Sequence, residues 1–305
     1  MSELVNPGRP VSASKLTQLA DLTPDGVRIF SEAWPSIPPE RRTDVIAKIV
    51  DLGEDNVELD FSALFRRLLD DEDADIRVKA IDGLWESQER PLIDPLVRLL
   101  RTDPEEAVRC AAAQALGRFA LLAETGKLLP RDKERLASVL LAVIDGVEET
   151  VEVRRRAIEA ISPLSMARVP EIIREAYESE LPNLRASAIY AMGLTCNADW
   201  VDILLDEIDN DDPEMRYEAA VALGEIGNEE TASKVGLLVD DPDPLVQAAA
   251  LNALGNMGGE LAKRLLTQAA RNDDPRIAEL ADEALRSLDF EDEPQSFPGY
   301  SGRRR

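Results

Sequence analysis

The stretch "DDPEMRYEAAVALG", residues 211–224, decides the fold. Asp212 followed by Pro213 marks a helix start: the Asp side chain caps a free first-turn amide, and the fixed φ of proline suits the first helical position. From there Met215, Ala219 and Leu223 recur every fourth residue and draw one apolar stripe down a helix. Beside that stripe stand Arg216 and Tyr217, which read either as a grip for a ligand or as parts of a scaffold.

The same pattern recurs along the chain. Taking Arg216 as an anchor, the equivalent positions are Arg77, Arg109, Arg154, Arg185, Gln247 and Ala278, and the successive spacings are 32, 45, 31, 31, 31 and 31 residues. The third residue after the anchor is alanine every time, from Ala80 to Ala281, and the seventh is Leu, Ile or Met. An aliphatic residue or Met always precedes the anchor. Asp73, Thr150, Asp243 and Asp274 stand at the N-cap position that Asp212 occupies here, and Gly227 and Gly258 mark helix ends. Upstream of each cap lies a second helical stretch, such as "RPLIDPLVRLL" (90–100) or "NADWVDILLDEI" (197–208), so the unit is a helix pair. A pair this small cannot bury its stripes alone, which is why such units stack. The single 45-residue spacing places an insert at about residues 120–132.

This repeat resembles the HEAT family, in particular the short bacterial form known from phycobilisome lyases. The family hallmark D-P-x-V-R-x-x-A-x-x-A-L-G is nearly spelled out by "DDPEMRYEAAVALG" and by "DDPDPLVQAAALNALG" (240–255). The resemblance implies an all-α fold: a right-handed α-α superhelix, or α-solenoid, of about seven to eight helix pairs. Repeats are expected over residues 58–290, with a degenerate N-terminal unit over 13–57, where Val45, Ile46 and Ile49 keep helical spacing, and tails at 1–12 and 291–305.

Composition agrees with an array of small side chains, since 44% of residues are hydrophobic but only 4% aromatic. Sixty acidic against 35 basic residues leave a net charge of −25, which repels phosphate backbones and anionic membranes. Duplex nucleic acid and membrane surfaces are therefore poor partners. The chain contains no histidine, which removes Ser-His-Asp and Cys-His catalysis and the imidazole metal sites. It also lacks the His-Glu iron ligands of the deoxyhypusine hydroxylase-like relatives. The segment "DDEDADIR" (70–77) has the spacing of a calcium loop's start but carries Ile76 where the loop needs glycine, so it reads as a cap turn. Cys110 and Cys196 lack metal-ligand spacing and are expected to be buried or half-buried free thiols. No cofactor or metal is implied. The N-terminus has neither a basic nor an apolar leader region, so the cytoplasm is the expected compartment.

The family uses the face made by its second helices, the concave face, to hold partners. On a helical wheel of ~100° per residue, positions one, five and eight after the anchor lie opposite the stripe. In the later units these are Ala186, Tyr190 and Gly193; Tyr217, Val221 and Gly224; and Ala248, Asn252 and Gly255, none of them charged. An uncharged ribbon on an acidic protein is what a binding surface looks like. Tyr190, Tyr217, Val221 and Asn252 are thus candidate partner contacts. Trp85, which stands where later units have glycine, is either a fifth contact or packing over Gly117. The anchors Arg77, Arg109, Arg154, Arg185 and Arg216 sit on the flank where units touch. The resemblance implies that they pair with turn aspartates as a structural ladder; a cationic grip for an acidic ligand is the alternative. These residues point to a non-catalytic scaffold that binds a protein or peptide, with basic residues flanking an apolar anchor. The family name carries a second reading, a bilin lyase-like subunit acting on a tetrapyrrole-carrying protein.

Overall fold

The computed structural model describes residues 12–56 and 58–292, with side chains through Leu288. The chain divides into two compact units, Met1–Ser165 and Met166–Arg305. Every regular element among the described residues is helical.

The first unit opens with a single turn, α1 (Ala13–Leu16), and continues as four helix pairs: α2 (Pro24–Ala33) with α3 (Pro39–Asp55), α4 (Ser62–Leu68) with α5 (Ala74–Asp82), α6 (Ile93–Thr102) with α7 (Glu106–Glu124), and α8 (Pro130–Ile144) with α9 (Val151–Ile161). The second unit has four more. These are α10 (Arg168–Tyr177) with α11 (Pro182–Leu194), α12 (Val201–Glu207) with α13 (Pro213–Ile226), α14 (Glu229–Val235) with α15 (Pro244–Met257), and α16 (Gly259–Ala269) with α17 (Pro275–Asp292).

The repeated sequence positions explain why these segments become helices and how they stack. Asp73, Thr150, Asp212 and Asp243 each accept a hydrogen bond from an amide of the turn that follows, as N-caps do. Two residues earlier, Asp71, Asp103, Asn210, Asp241 and Asn272 each accept the amide two positions on. These five inter-helix turns are thus held by their own side chains before any packing is counted. The alanine of every repeat, Ala80 through Ala281, is fully buried, and the Leu, Ile or Met four positions further on is buried as well, except for the half-buried Leu285. Within each unit the second helices form one row, α3, α5, α7 and α9 in the first, α11, α13, α15 and α17 in the second.

The insert adds no long loop. It lengthens α7 to 19 residues and gives α8 15, leaving a short turn at 125–129 with Gly126 at φ +75°. The added turns of α7 bury Phe119, Leu122 and Ala123, and their burial is what keeps the extra residues helical. In α3, Arg42 occupies the anchor position, with Val45 and Ile49 buried three and seven residues on. Helix α17 runs through Asp292; the rest of the expected C-terminal tail, and residues 1–11, lie outside the described residues.

Candidate partner-binding face

The anchor arginines spend most of their donors on their own turn and on the repeat that follows. Arg216 holds both carboxylate oxygens of Asp241 at 2.7 and 2.9 Å and donates its remaining nitrogen to the carbonyls of Asn210 and Asp211. Arg77 does the same with Asp103, at 2.8 Å twice, and with the carbonyls of Asp71 and Glu72. Arg42 pairs with Asp71 and Glu72, at 3.7 and 2.8 Å. In each case the partner is the turn aspartate of the following repeat, so one side chain ties the end of its own turn to the next.

Where that aspartate is missing, the column is repaired. Arg109 uses Glu149 instead. The repeat after Arg185 has Asn210 at the turn position, and Arg185 reaches Glu207 at 3.3 Å. Glu207 is only 5% exposed, and it also accepts from Asn210 Nδ2 and from the Tyr177 hydroxyl. Burial, then the neighbouring Glu207, push the Tyr177 phenol up to about 12. Arg154 has two carbonyl acceptors, those of Gly146 and Glu149. Gln247, which replaces the arginine, keeps the carbonyl bond to Asp241 and accepts from Arg276.

In the second unit the sequence-derived contacts Tyr190, Tyr217, Val221 and Asn252 share the row of second helices. Tyr217 is 36% exposed, Tyr190 and Val221 are half-buried, and Asn252 is open to solvent. The third position of the expected ribbon needs correction. Gly193, Gly224 and Gly255 are buried against the next helix of the row, and a Cβ on them would lie 2.7 Å from Ala222 Cα, 3.0 Å from Ala253 Cα and 3.3 Å from Ala284 Cβ. The eighth position sits near 80° on the wheel, on the flank turned to the neighbouring helix, while the open arc is centred near 140°. The exposed row therefore runs through positions two before and one, five and nine after the anchor. In α13 these are Glu214, Tyr217, Val221 and Glu225, and in α15 Leu245, Ala248, Asn252 and Asn256. Ala186, expected at the face, is buried.

The sequence reading missed Leu245, which is 69% exposed. Its signal was present: a leucine two residues before the anchor, where other repeats carry Asn183, Glu214 and Arg276.

Trp85 belongs to the first unit and is not on a second helix at all. Helix α5 stops at Asp82, and Trp85 stands in the turn that follows, 56% exposed, so the helical wheel that placed it over Gly117 does not apply. Gly117 instead packs against Ala160 Cα, as its counterparts do in the second unit. On α9 of the first unit the charges are paired within the helix: Arg155 bonds Glu152, and Arg156 bonds the buried Glu159.

The thiols divide. Cys110 is half-buried, and burial together with Glu106 and Glu152 pushes it up to about 11, well away from a reactive thiolate. Cys196 is exposed, against expectation, because it sits just past the end of α11 with φ +50° and turns outward. No cluster of metal-ligating side chains occurs among the described residues, and none of their helices is long and apolar enough to cross a membrane.

Capped helix pairs, a buried alanine in every repeat and an ion-pair column between successive turns define a stacked helical-repeat protein. The family model for HEAT repeats matches residues 61–162, 169–235 and 201–286, and the chain belongs to that family. No curated protein sequence matches it. Among solved structures it is similar to the complex of CpcE and CpcF of phycocyanin lyase from Nostoc, at 16% identity over 93% of this chain and 97% of that one, with a TM-score of 0.54. Escherichia coli YibA matches at 17% identity over 92% and 98% of the chains, with a TM-score of 0.44. Human deoxyhypusine hydroxylase matches at 19% over 91% and 96%, with a TM-score of 0.39. The first of these shows a common fold.

Proposed function

We propose that this protein is a non-catalytic scaffold that holds a segment of another protein on the second-helix face of its second unit. The observation that carries the reading is an uncharged row on two adjacent helices, with Tyr217, Leu245 and Asn252 exposed and Val221 and Ala248 half-buried, in a chain in which 31% of residues are charged. Tyr190 extends the row onto α11. Tyrosine is a frequent interface anchor, and an exposed leucine beside it adds apolar area that folding leaves uncovered. Glu214 and Glu225 stand at the two ends of the row on α13, and with the overall acidity they favour a partner whose apolar anchor is bordered by basic residues.

The test is affinity capture from native extract with the unaltered protein and with Tyr190→Ala plus Tyr217→Ala. Loss of the captured partners supports the face; an unchanged set overturns it. The lyase-like reading rests on family kinship and a shared fold. It predicts a shifted visible absorption band when a bilin is added to the purified protein.

A further inference from the structure

The first unit carries a feature that the second-helix row does not use. Trp85 overhangs a cleft of about 180 Å³ between the end of α3, the start of α4 and the turn after α5. Its apolar wall is formed by Phe61 and Phe65, packed edge to face with ring centroids 6.3 Å apart and only 3% and 2% exposed. The volume equals about six waters at roughly 30 Å³ each, well below the ~300 Å³ where small-molecule sites begin. A cleft of this size suits one long side chain.

Its chemistry specifies which side chain. Glu54, Asp60 and Glu86 line the opening, and neither Glu54 nor Glu86 has an ion pair within the described chain. Asp60 accepts the Ser62 amide at 2.8 Å, and its hydrogen bonds to Ser62 hold its carboxyl below the ordinary carboxylate value, so it stays charged. Of the nearby cations, Arg66 pairs with Glu89 while also acting on Asp60, and Arg118 donates to the backbone carbonyls of Leu84 and Trp85. Lys79 acts on Asp82, whose carboxyl is raised by burial and by the charge of Glu54. An exposed indole face beside unpaired carboxylates attracts a flat, weakly hydrated cation.

We infer that this cleft receives an arginine side chain of a partner polypeptide, its guanidinium stacked on Trp85 and its charge met by Glu54, Asp60 and Glu86. The site is independent of the row in the second unit, and failure of either leaves the other standing.

Trp85 is its own reporter, since the other two tryptophans, Trp34 and Trp200, are 5% and 2% exposed. The experiment titrates the full-length protein with a glycine-serine peptide carrying one arginine, and with the same peptide carrying citrulline, while following tryptophan emission. The arginine peptide is expected to give a saturable change that is absent in Trp85→Leu. Citrulline and the double variant Glu54→Gln plus Glu86→Gln should each weaken binding about tenfold. Equal binding of the two peptides, an unaffected double variant, or no saturable change would overturn the inference. Circular dichroism of both variants, whose substitutions lie at exposed positions, separates lost binding from lost fold.

Discussion

Arg216 and Tyr217 are adjacent in sequence yet do opposite things, because ~100° of helix rotation separates them. Arg216 turns to the neighbouring repeat and is held by Asp241, whose side chain is 4% exposed, while Tyr217 turns to solvent. Arg216→Ala strips Asp241 of its cation and leaves a buried carboxylate, so it should lower unfolding free energy by about 3 kcal/mol in urea titration. Tyr217→Ala removes an exposed ring and should stay within about 0.5 kcal/mol of the unaltered protein in the same assay. Glu124 makes a different residue-scale prediction. Its bonds to Lys133 and to the Ser165 amide hold its carboxyl down to about 2 from the ordinary 4.5. The stability this adds is present in full above pH 4.5 and is lost as pH falls from 4.5 towards 2. Glu124→Gln should therefore flatten the fall in melting temperature across that range.

At the scale of the element, the distance between neighbouring second helices is set by the glycine eight residues after the anchor, facing an alanine six residues after the next. The clearances are graded, tightest at Gly193, where the obstacle is the Cα of Ala222 at 2.7 Å, and loosest at Gly255, where it is the Ala284 methyl at 3.3 Å. A backbone atom cannot turn aside as a side chain can. Gly193→Ala should cost about 1 to 3 kcal/mol by forcing the helices apart, and Gly255→Ala clearly less. Thermal unfolding of the pair reads the difference directly; equal shifts would remove the glycine column as the spacer. Helix ends are where sequence reasoning slipped. The wheel assumed α5 continued to Trp85, but Gly83, packed against the Phe65 ring, lies just past its last residue. The spacing places the insert at about 120–132 and assigns it no structure; buried side chains make its two ends helix and leave the turn at 125–129 between them.

At the scale of the whole molecule, the net charge of −25 works against a compact chain. The close ion pairs of the anchor column are sheltered from salt, while long-range repulsion between surface carboxylates is not. Raising sodium chloride from low ionic strength to about 0.3 M, where screening reaches well inside 10 Å, should raise the melting temperature by about 2 to 4 °C. A fall instead would mean that exposed pairs outweigh the repulsion.

The sequence by itself determined the helix pairs, their caps and the buried stripe, because each rests on local chemistry that repeats: an Asp-Pro start, an alanine three residues after the anchor, an aliphatic residue seven after it. It also placed Tyr190, Tyr217, Val221 and Asn252 on the side of the second helices away from the stripe, where Tyr217 and Asn252 are exposed and Tyr190 and Val221 half-buried, although Ala186 at the same kind of position is buried. Tertiary structure alone decided how far that face extends around the wheel. It turned the glycine column inward and Leu245 outward, because flanking contacts depend on which helix lies alongside. It also matched Arg42, Arg77, Arg109, Arg185 and Arg216 to their carboxylates while leaving Arg154 with backbone carbonyls, and it set Trp85 at the edge of an acidic cleft. Those outcomes depend on residues 20 to 40 positions apart meeting across a repeat boundary, and no local pattern encodes such a meeting.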